Sequence, residues 1–451
     1  MDSCNGCLCS FRTLLQDTDV DVHNMMSRAA ETGNAQAVGL LLRITEQRDQ
    51  RWGQSDTIAQ VGLNVAAKHG NCEVANVILD TGRGNKYDKG NTALEYAAGN
   101  GHVDMVNLLL KRGAALADDF DNISIRVAAK QGHVDVVRVL LESNLVDPGA
   151  RGNEALIMAS ENGHIDVVKL LLNSSMVDPA AGENKAILVA VLAGHVDIVK
   201  HLLEYEGVMA SQVALKDAIE RDDTEMARVI IESGTCPLGA DNNQAIRLAC
   251  SHNNLPIVKL LLHSDDVDPS VEHNEPLRSA ASSGNADLVR LLLTSPRVNP
   301  GDQNNVAIRE AALYGNELVV KLLLDSDRVD PSVDNNYALR KAQSRHIKCL
   351  LACSSRIYPT ANAKEVAGTV FLQCFREEPS EFVASFREKA YPFLRYEIIQ
   401  MAKHMTGEWG LPSQVVQLIF EFYESVWFPH SKQIVCDYFC NKVDFRTYDI
   451  P

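Results

Sequence analysis

The feature that most constrains this chain is a period. The segments NTALEYAAGNGHVDMVNLLL from Asn91, NEALIMASENGHIDVVKLLL from Asn153 and NVAIREAALYGNELVVKLLL from Asn305 are versions of one pattern that returns every 31 residues. Nine copies place Ala97, Ala128, Ala159, Ala190, Ala218, Ala249, Ala280, Ala311 and Ala342 in one column, with a three-residue deletion before Ala218. A period of this length means one supersecondary unit stacked on copies of itself, so the fold is a linear array rather than a sphere.

Each copy reads as two helices. A short apolar-periodic stretch follows an Asn, breaks at a Gly, and gives way to a second stretch such as HVDVVRVLLES. The column Asn91, Asn122, Asn153, Asn184, Asn243, Asn274, Asn305 and Asn336, with Gln212 substituting once, predicts N-caps for the first helices. Gly101, Gly132, Gly163, Gly194, Gly284 and Gly315 end those helices where a left-handed residue is cheap, and Asp222 and Asn253 fill the same column. The Ala column lets neighbouring backbones approach while Leu94, Ile125, Leu156, Ile187, Leu215, Ile246, Leu277, Ile308 and Leu339 fill the core beside it. Runs such as Leu170-Leu171-Leu172 are too apolar for a lone helical hairpin and must be buried against the next unit. Pro148, Pro179, Pro269, Pro300 and Pro331 then forbid helix continuation and turn the chain.

These residues resemble the ankyrin-repeat family. T-A-L-x-x-A-A at Thr92 to Ala98 stands for the family's T-P-L-H-x-A-A, and GHVDVVRVLL at Gly132 to Leu141 for its second helix. The period is 31 rather than 33, and T-P-L-H occurs nowhere intact. The fold class expected is all-α: a solenoid of stacked helix pairs with an aromatic-rich helical C-terminal region. Residues 1–22 form a Cys-containing segment, 23–87 hold degenerate repeats around Met25 and Leu63 divided by a polar insertion near Glu46 to Asp56, 88–352 hold the nine regular copies, and 356–451 form the tail. The last copy, from Tyr337, has lost about four residues between its helices, as an end cap does. The resemblance implies binding rather than chemistry, through loop tips and a concave face that hold a protein partner. The tips vary before each Asn, and Phe120, Arg151, Glu183, Asp241, Glu272, Gln303 and Asp334 are the expected contact residues.

The tail differs from the array. It holds 18 of the 26 Phe, Trp and Tyr residues. Within it LPSQVVQLIFEFYESVW, from Leu411 to Trp427, resembles the opening helix of an F-box, with Leu411, Pro412, Val415, Leu418, Ile419 and Phe422 as the adaptor-docking residues and Gln414 where that family prefers Glu. Two readings stand: a helical cap that closes a binding scaffold, or a ubiquitin-ligase substrate receptor docking a Skp-type adaptor.

Other chemistries find little footing. The formal charge of −16 disfavours phosphate backbones and anionic lipid. No apolar run reaches the roughly 20 residues of a membrane helix. The eleven cysteines, with no secretory signal, read as mostly reduced thiols of a cytoplasmic or nuclear, monomeric protein. Cys4, Cys7 and Cys9 could hold zinc, accept acyl chains or be inert; no metal site and no cofactor are expected. There is no GxSxG, HExxH or phosphate loop, so an enzyme is not expected. His102, His133, His164 and His195 recur one helix layer apart, too far to share a metal, and read as structural. Arg126, Arg247, Arg278, Arg309 and Arg340, with Lys216, make a cationic stripe: a groove for an acidic peptide, or arginines bound to loop carboxylates and carbonyls such as those of Asp268 and Asp330.

Overall fold

The computed structural model describes residues 21–52, 55–83, 91–113 and 119–352, and among them there are helices and connections but no strand. They belong to two compact units, one ending at Leu238 and the other beginning at Gly239. Each unit repeats one construction. Around Ala159 a first helix, Ala150–Glu161, turns into a second, Ile165–Leu172. Around Ala311 the pair is Asp302–Tyr314 and Glu317–Leu324. Within a unit first helices stack on first helices and second on second. The all-α stack of helix pairs expected from the period is therefore what the described residues of each unit form.

The columns set the core. The Ala column and the Leu/Ile column beside it are buried throughout, from Leu94 and Ala97 to Leu339 and Ala342. Opposite them each second helix contributes a pair four positions apart or closer, such as Val137 with Leu140 or Val320 with Leu323, enclosed completely. Of the LLL runs, Leu171, Leu261 and Leu323 are fully enclosed. Burying each such side chain is worth about 1.5–3 kcal/mol, and because a copy is sealed only by its neighbours, that energy belongs to the stack.

The glycine ending a first helix has one or two reasons to be glycine, since all sit at positive φ and several also face a side chain of the next copy. Gly101 sits at φ +78°, and a Cβ there would lie 2.8 Å from Nδ1 of His133 in the next copy. That histidine reaches back to the Gly99 carbonyl at 3.1 Å. His102, His164 and His195 meet the carbonyls of Lys68, Lys130 and Glu161 in the same way, and Asn71 and Asn316 donate from the same position. The ladder is structural: each side chain satisfies carbonyls left orphaned at a helix end.

The N-terminal copies keep this plan, with helices Val22–Glu31, Ala35–Trp52, Ser55–His69 and Cys72–Asp80. The polar insertion is largely helical, extending the second of these to Trp52. In the last copy Val333–Lys341 passes to Arg345–Ala352 through Ala342 at φ −55°, ψ 125°, without a left-handed residue, as its shortened spacing requires.

Candidate protein-binding surface

Among the described residues the connection into most first helices from Ala150 onward is one turn of left-handed helix. Arg151, Gly152 and Asn153 have φ of 54°, 69° and 62°; Gln303, Asn304 and Asn305 have 46°, 57° and 59°. Gly182 to Asn184, Asp241 to Asn243 and Glu272 to Asn274 repeat it. The turn closes on a backbone bond from the Asn N–H to the carbonyl four residues back, as from Asn305 to Gly301 at 3.2 Å. Left-handed helical conformation costs an L-residue about 1–2 kcal/mol, so three in succession must be held from outside.

The Asn column holds them, and this corrects the capping role expected from sequence. In six of the eight the side-chain oxygen does not cap its own helix; it accepts the backbone N–H of a residue 25 positions on, in the next copy's return connection. Asn122 takes Asp147, Asn153 takes Asp178, Asn184 takes Met209, Asn243 takes Asp268, Asn274 takes Asn299 and Asn305 takes Asp330, at 2.7–3.1 Å. Asn tolerates positive φ better than most residues and carries the acceptor, so both demands select it. The residues just before it stand outward. Arg151, Glu183, Asp241, Glu272, Gln303 and Asp334, six of the seven expected contacts, are all exposed and all at positive φ. Phe120 lies in the helix Asp119–Gln131, and its side chain is outside the described residues.

The three-residue deletion before Ala218 removes this turn. There the chain enters Gln212–Glu220 through Ser211 at φ −80°, ψ 160°, whose hydroxyl accepts the Ala214 N–H as an ordinary N-cap. Gln212 donates instead to the Pro237 carbonyl 25 residues on, so the link between copies survives with its polarity reversed.

The arginine column divides. Arg126 pairs with Glu154 at 3.2 Å and Arg247 with Glu275 at 2.5 Å, each 28 residues ahead on the next first helix. Where the next copy has Val306 or Tyr337 at that position, the arginine finds something else. Arg278 reaches the Gln303 amide oxygen at 3.3 Å, and Arg309 lies 4.3 Å over the Tyr337 ring with Asp334 at 3.3 Å. Arg340 donates to the Asp334 carbonyl, and Lys216 pairs with Glu220 of its own helix. Asp268 and Asp330 are not their acceptors. Those carboxylates fold back on the Ser270 and Ser332 hydroxyls and N–H groups, which holds the Asp268 carboxyl below its usual range. Burial pushes the Glu310 carboxyl up although Arg278 and Arg309 oppose it. The Arg-to-Glu offset of 28 was visible in the sequence, but only the stacking of first helices gives it meaning.

Among the described residues no group of His, Cys, Asp and Glu could hold a metal, and no helix is long and apolar enough to cross a membrane. Cys72, Cys236 and Cys250 are free thiols. Burial raises Cys236 to about 11 and Cys250 further. Cys4, Cys7 and Cys9 and the adaptor-docking set Leu411, Pro412, Val415, Leu418, Ile419 and Phe422 lie outside the described residues.

The model for ankyrin repeats (three copies) matches residues 26–119, 63–151, 125–213, 187–273, 215–304 and 246–335. No curated protein matches the chain in sequence. Among solved structures, the ankyrin repeat domain of Bcl-3, described as a unique member of the IkappaB protein family, is similar at 22% identity, covering 44% of this chain and 97% of that one with a TM-score of 0.37. With the family's repeats matched from residue 26 to residue 335 and its helix pairs stacked in both units, the chain belongs to the ankyrin-repeat family.

Proposed function

We propose that the protein is a non-catalytic scaffold that holds a partner protein on its left-handed tips and the first-helix face beside them. The observation that carries this is the contrast within the turns: a buried or half-buried Asn closes the turn while the exposed residue two positions before it changes from copy to copy, Arg151, Asp241, Glu272, Gln303 and Asp334, with Glu183 one position before its Asn. A rigid, strained loop bearing variable exposed side chains is what a recognition surface needs, since ordering costs are met before binding. The acidic charge and free thiols support a monomer in the cytoplasm or nucleus, with neither nucleic acid nor membrane as partner and no cofactor.

The test is a cross-linked pull-down with mass spectrometry using the full chain and a variant carrying Glu183→Lys, Glu272→Lys and Asp334→Lys. Loss of a specific set of proteins from the variant is expected; an unchanged set sinks the proposal. The second reading, a ligase substrate receptor, is supported by the Leu411 to Trp427 pattern alone. A chain truncated after Gly410 tests it: a Skp-type adaptor and cullin recovered only with the full chain would establish the receptor, and recovery of neither would leave the scaffold.

A further inference from the structure

The arginine column of the second unit is incomplete in a specific way. At Arg126 and Arg247 the next first helix supplies a glutamate, Glu154 and Glu275, which shows what chemistry that position accepts. At Arg278 and Arg309 the corresponding residues are Val306 and Tyr337, so no carboxylate faces the guanidinium from that position; the buried Nε of both, like that of Arg126, makes no hydrogen bond among the described residues. Arg278 makes a 3.3 Å bond to a neutral amide and Arg309 a 3.3 Å ion pair to an exposed carboxylate, with the Glu310 carboxyl near both. The rest of each guanidinium stays accessible, with the Arg309 side chain 23% exposed, and lacks the carboxylate that the next helix gives Arg126 and Arg247, so an anion from outside can take that place.

Charge and spacing narrow the ligand. Along this strip Arg247, Arg278, Arg309 and Arg340 stand with Glu275, Glu310 and Asp334, four cations against three carboxylates on a chain whose formal charge is −16. A polyphosphate would meet the repulsion of the whole acidic body, whereas spaced carboxylates on a short segment meet mainly the strip. Stacked helices lie about 8–10 Å apart. A chain in polyproline II conformation advances about 3.1 Å per residue with three residues per turn, so it returns a side chain to the same face at every third position, about once per copy.

Resting on the protein-binding reading above, we infer that the second unit binds an extended acidic peptide along Arg247, Arg278, Arg309 and Arg340, with carboxylates at every third residue. At Arg278 and Arg309 the peptide's carboxylates take the role that Glu154 and Glu275 play for Arg126 and Arg247. The Tyr337 ring, already under Arg309, keeps that guanidinium flat and oriented.

Fluorescence anisotropy on the full chain tests this with a labelled synthetic peptide of about twelve residues, Glu at every third position and Gly or Ser between, against an isomer with its glutamates contiguous. The spaced peptide is expected to bind at least about five-fold tighter than the isomer, and Arg278→Gln with Arg309→Gln to weaken it about ten-fold or more. Arg126→Gln, outside the strip, leaves it unchanged. Val306→Glu gives Arg278 an internal partner, so it should weaken the peptide about five-fold without lowering the thermal midpoint, which separates occlusion from misfolding. Equal binding of the two isomers, no response to the arginine variants, or tighter binding of a single-stranded oligonucleotide of equal charge overturns the inference. If the tip variant loses its partners while the spaced peptide does not bind, this inference fails and the scaffold reading stands; if the peptide binds and the tip variant keeps every partner, the reverse holds.

Discussion

Asn305 offers the sharpest test of how the tips are held. Its Oδ1 accepts the Asp330 N–H at 2.7 Å, its backbone is at φ 59°, and the residue is only 5% exposed. Asn305→Gly removes the acceptor but suits the backbone, so the cost is a lost hydrogen bond plus a partly buried N–H left without a partner, about 1–2 kcal/mol. Asn305→Ala adds a Cβ at positive φ without the side chain that eases it, bringing the total to about 2–4 kcal/mol. Because solenoid stability is roughly a sum of local and interface terms, a global melt would blur the effect. Native-state hydrogen exchange of the amides in Val333–Lys341 and Arg345–Ala352 reads it locally. At a factor of ten per 1.4 kcal/mol, exchange there should rise about 5- to 30-fold in the glycine variant and about 30- to 1,000-fold in the alanine variant, with the N-terminal copies unchanged. Equal exchange in the two variants would mean that backbone strain plays no part. Exchange at the parent rate in both would refute the clamp itself.

Four further outcomes follow from the same geometry. Gly315→Ala meets no atom within 4 Å and should cost only the left-handed penalty of about 1–2 kcal/mol, whereas Gly101→Ala also drives into His133 and should cost about 1–3 kcal/mol more by urea denaturation; equal costs would remove the histidine from the explanation. Gln303→Gly, at φ 46°, should raise stability by about 0.5–1 kcal/mol, since relief of left-handed strain exceeds the entropy glycine adds to the unfolded chain; a lower urea midpoint would contradict the strain. The segment deleted before Ala218 is a strained turn, and Ser211 and Asp223 cap the two helices of that copy, so hydrogen exchange at Leu215 to Ile231 should be no faster than in the copy before it; faster exchange would show that the lost turn supported the copy. Burial holds the Cys236 thiol protonated to about 11 while an unfolded thiol ionises near about 8.5, so the unfolded chain binds fewer protons between those values. Its contribution is intact below about pH 8.5 and declines as pH rises toward 11; Cys236→Ala should flatten that part of the stability curve, and an unaltered slope would count against it.

The period, the helix pairs, the glycine turns and the core columns were legible in the amino-acid sequence because each is a local demand repeated until it cannot be missed. Ala97 and Leu94 recur in register because every copy meets the same neighbour, and Gly101 recurs because a left-handed residue ends the first helix in every regular copy before the shortened last one. Even the deletion before Ala218 was visible as a number. What it deleted was not, since a left-handed turn has no composition of its own: Arg151-Gly152-Asn153 and Gln303-Asn304-Asn305 share only the last residue. Read locally, that Asn is an N-cap; in the structure its partner is a backbone N–H 25 residues away, brought there by stacking. The same holds for the arginines. A column of like charges is a property of one sequence position, but whether each charge is satisfied depends on the residue the next copy places above it, Glu275 for Arg247 and Val306 for Arg278. Local conformational preference is written in short segments and repeats with them, whereas pairing across copies exists only once the copies are packed.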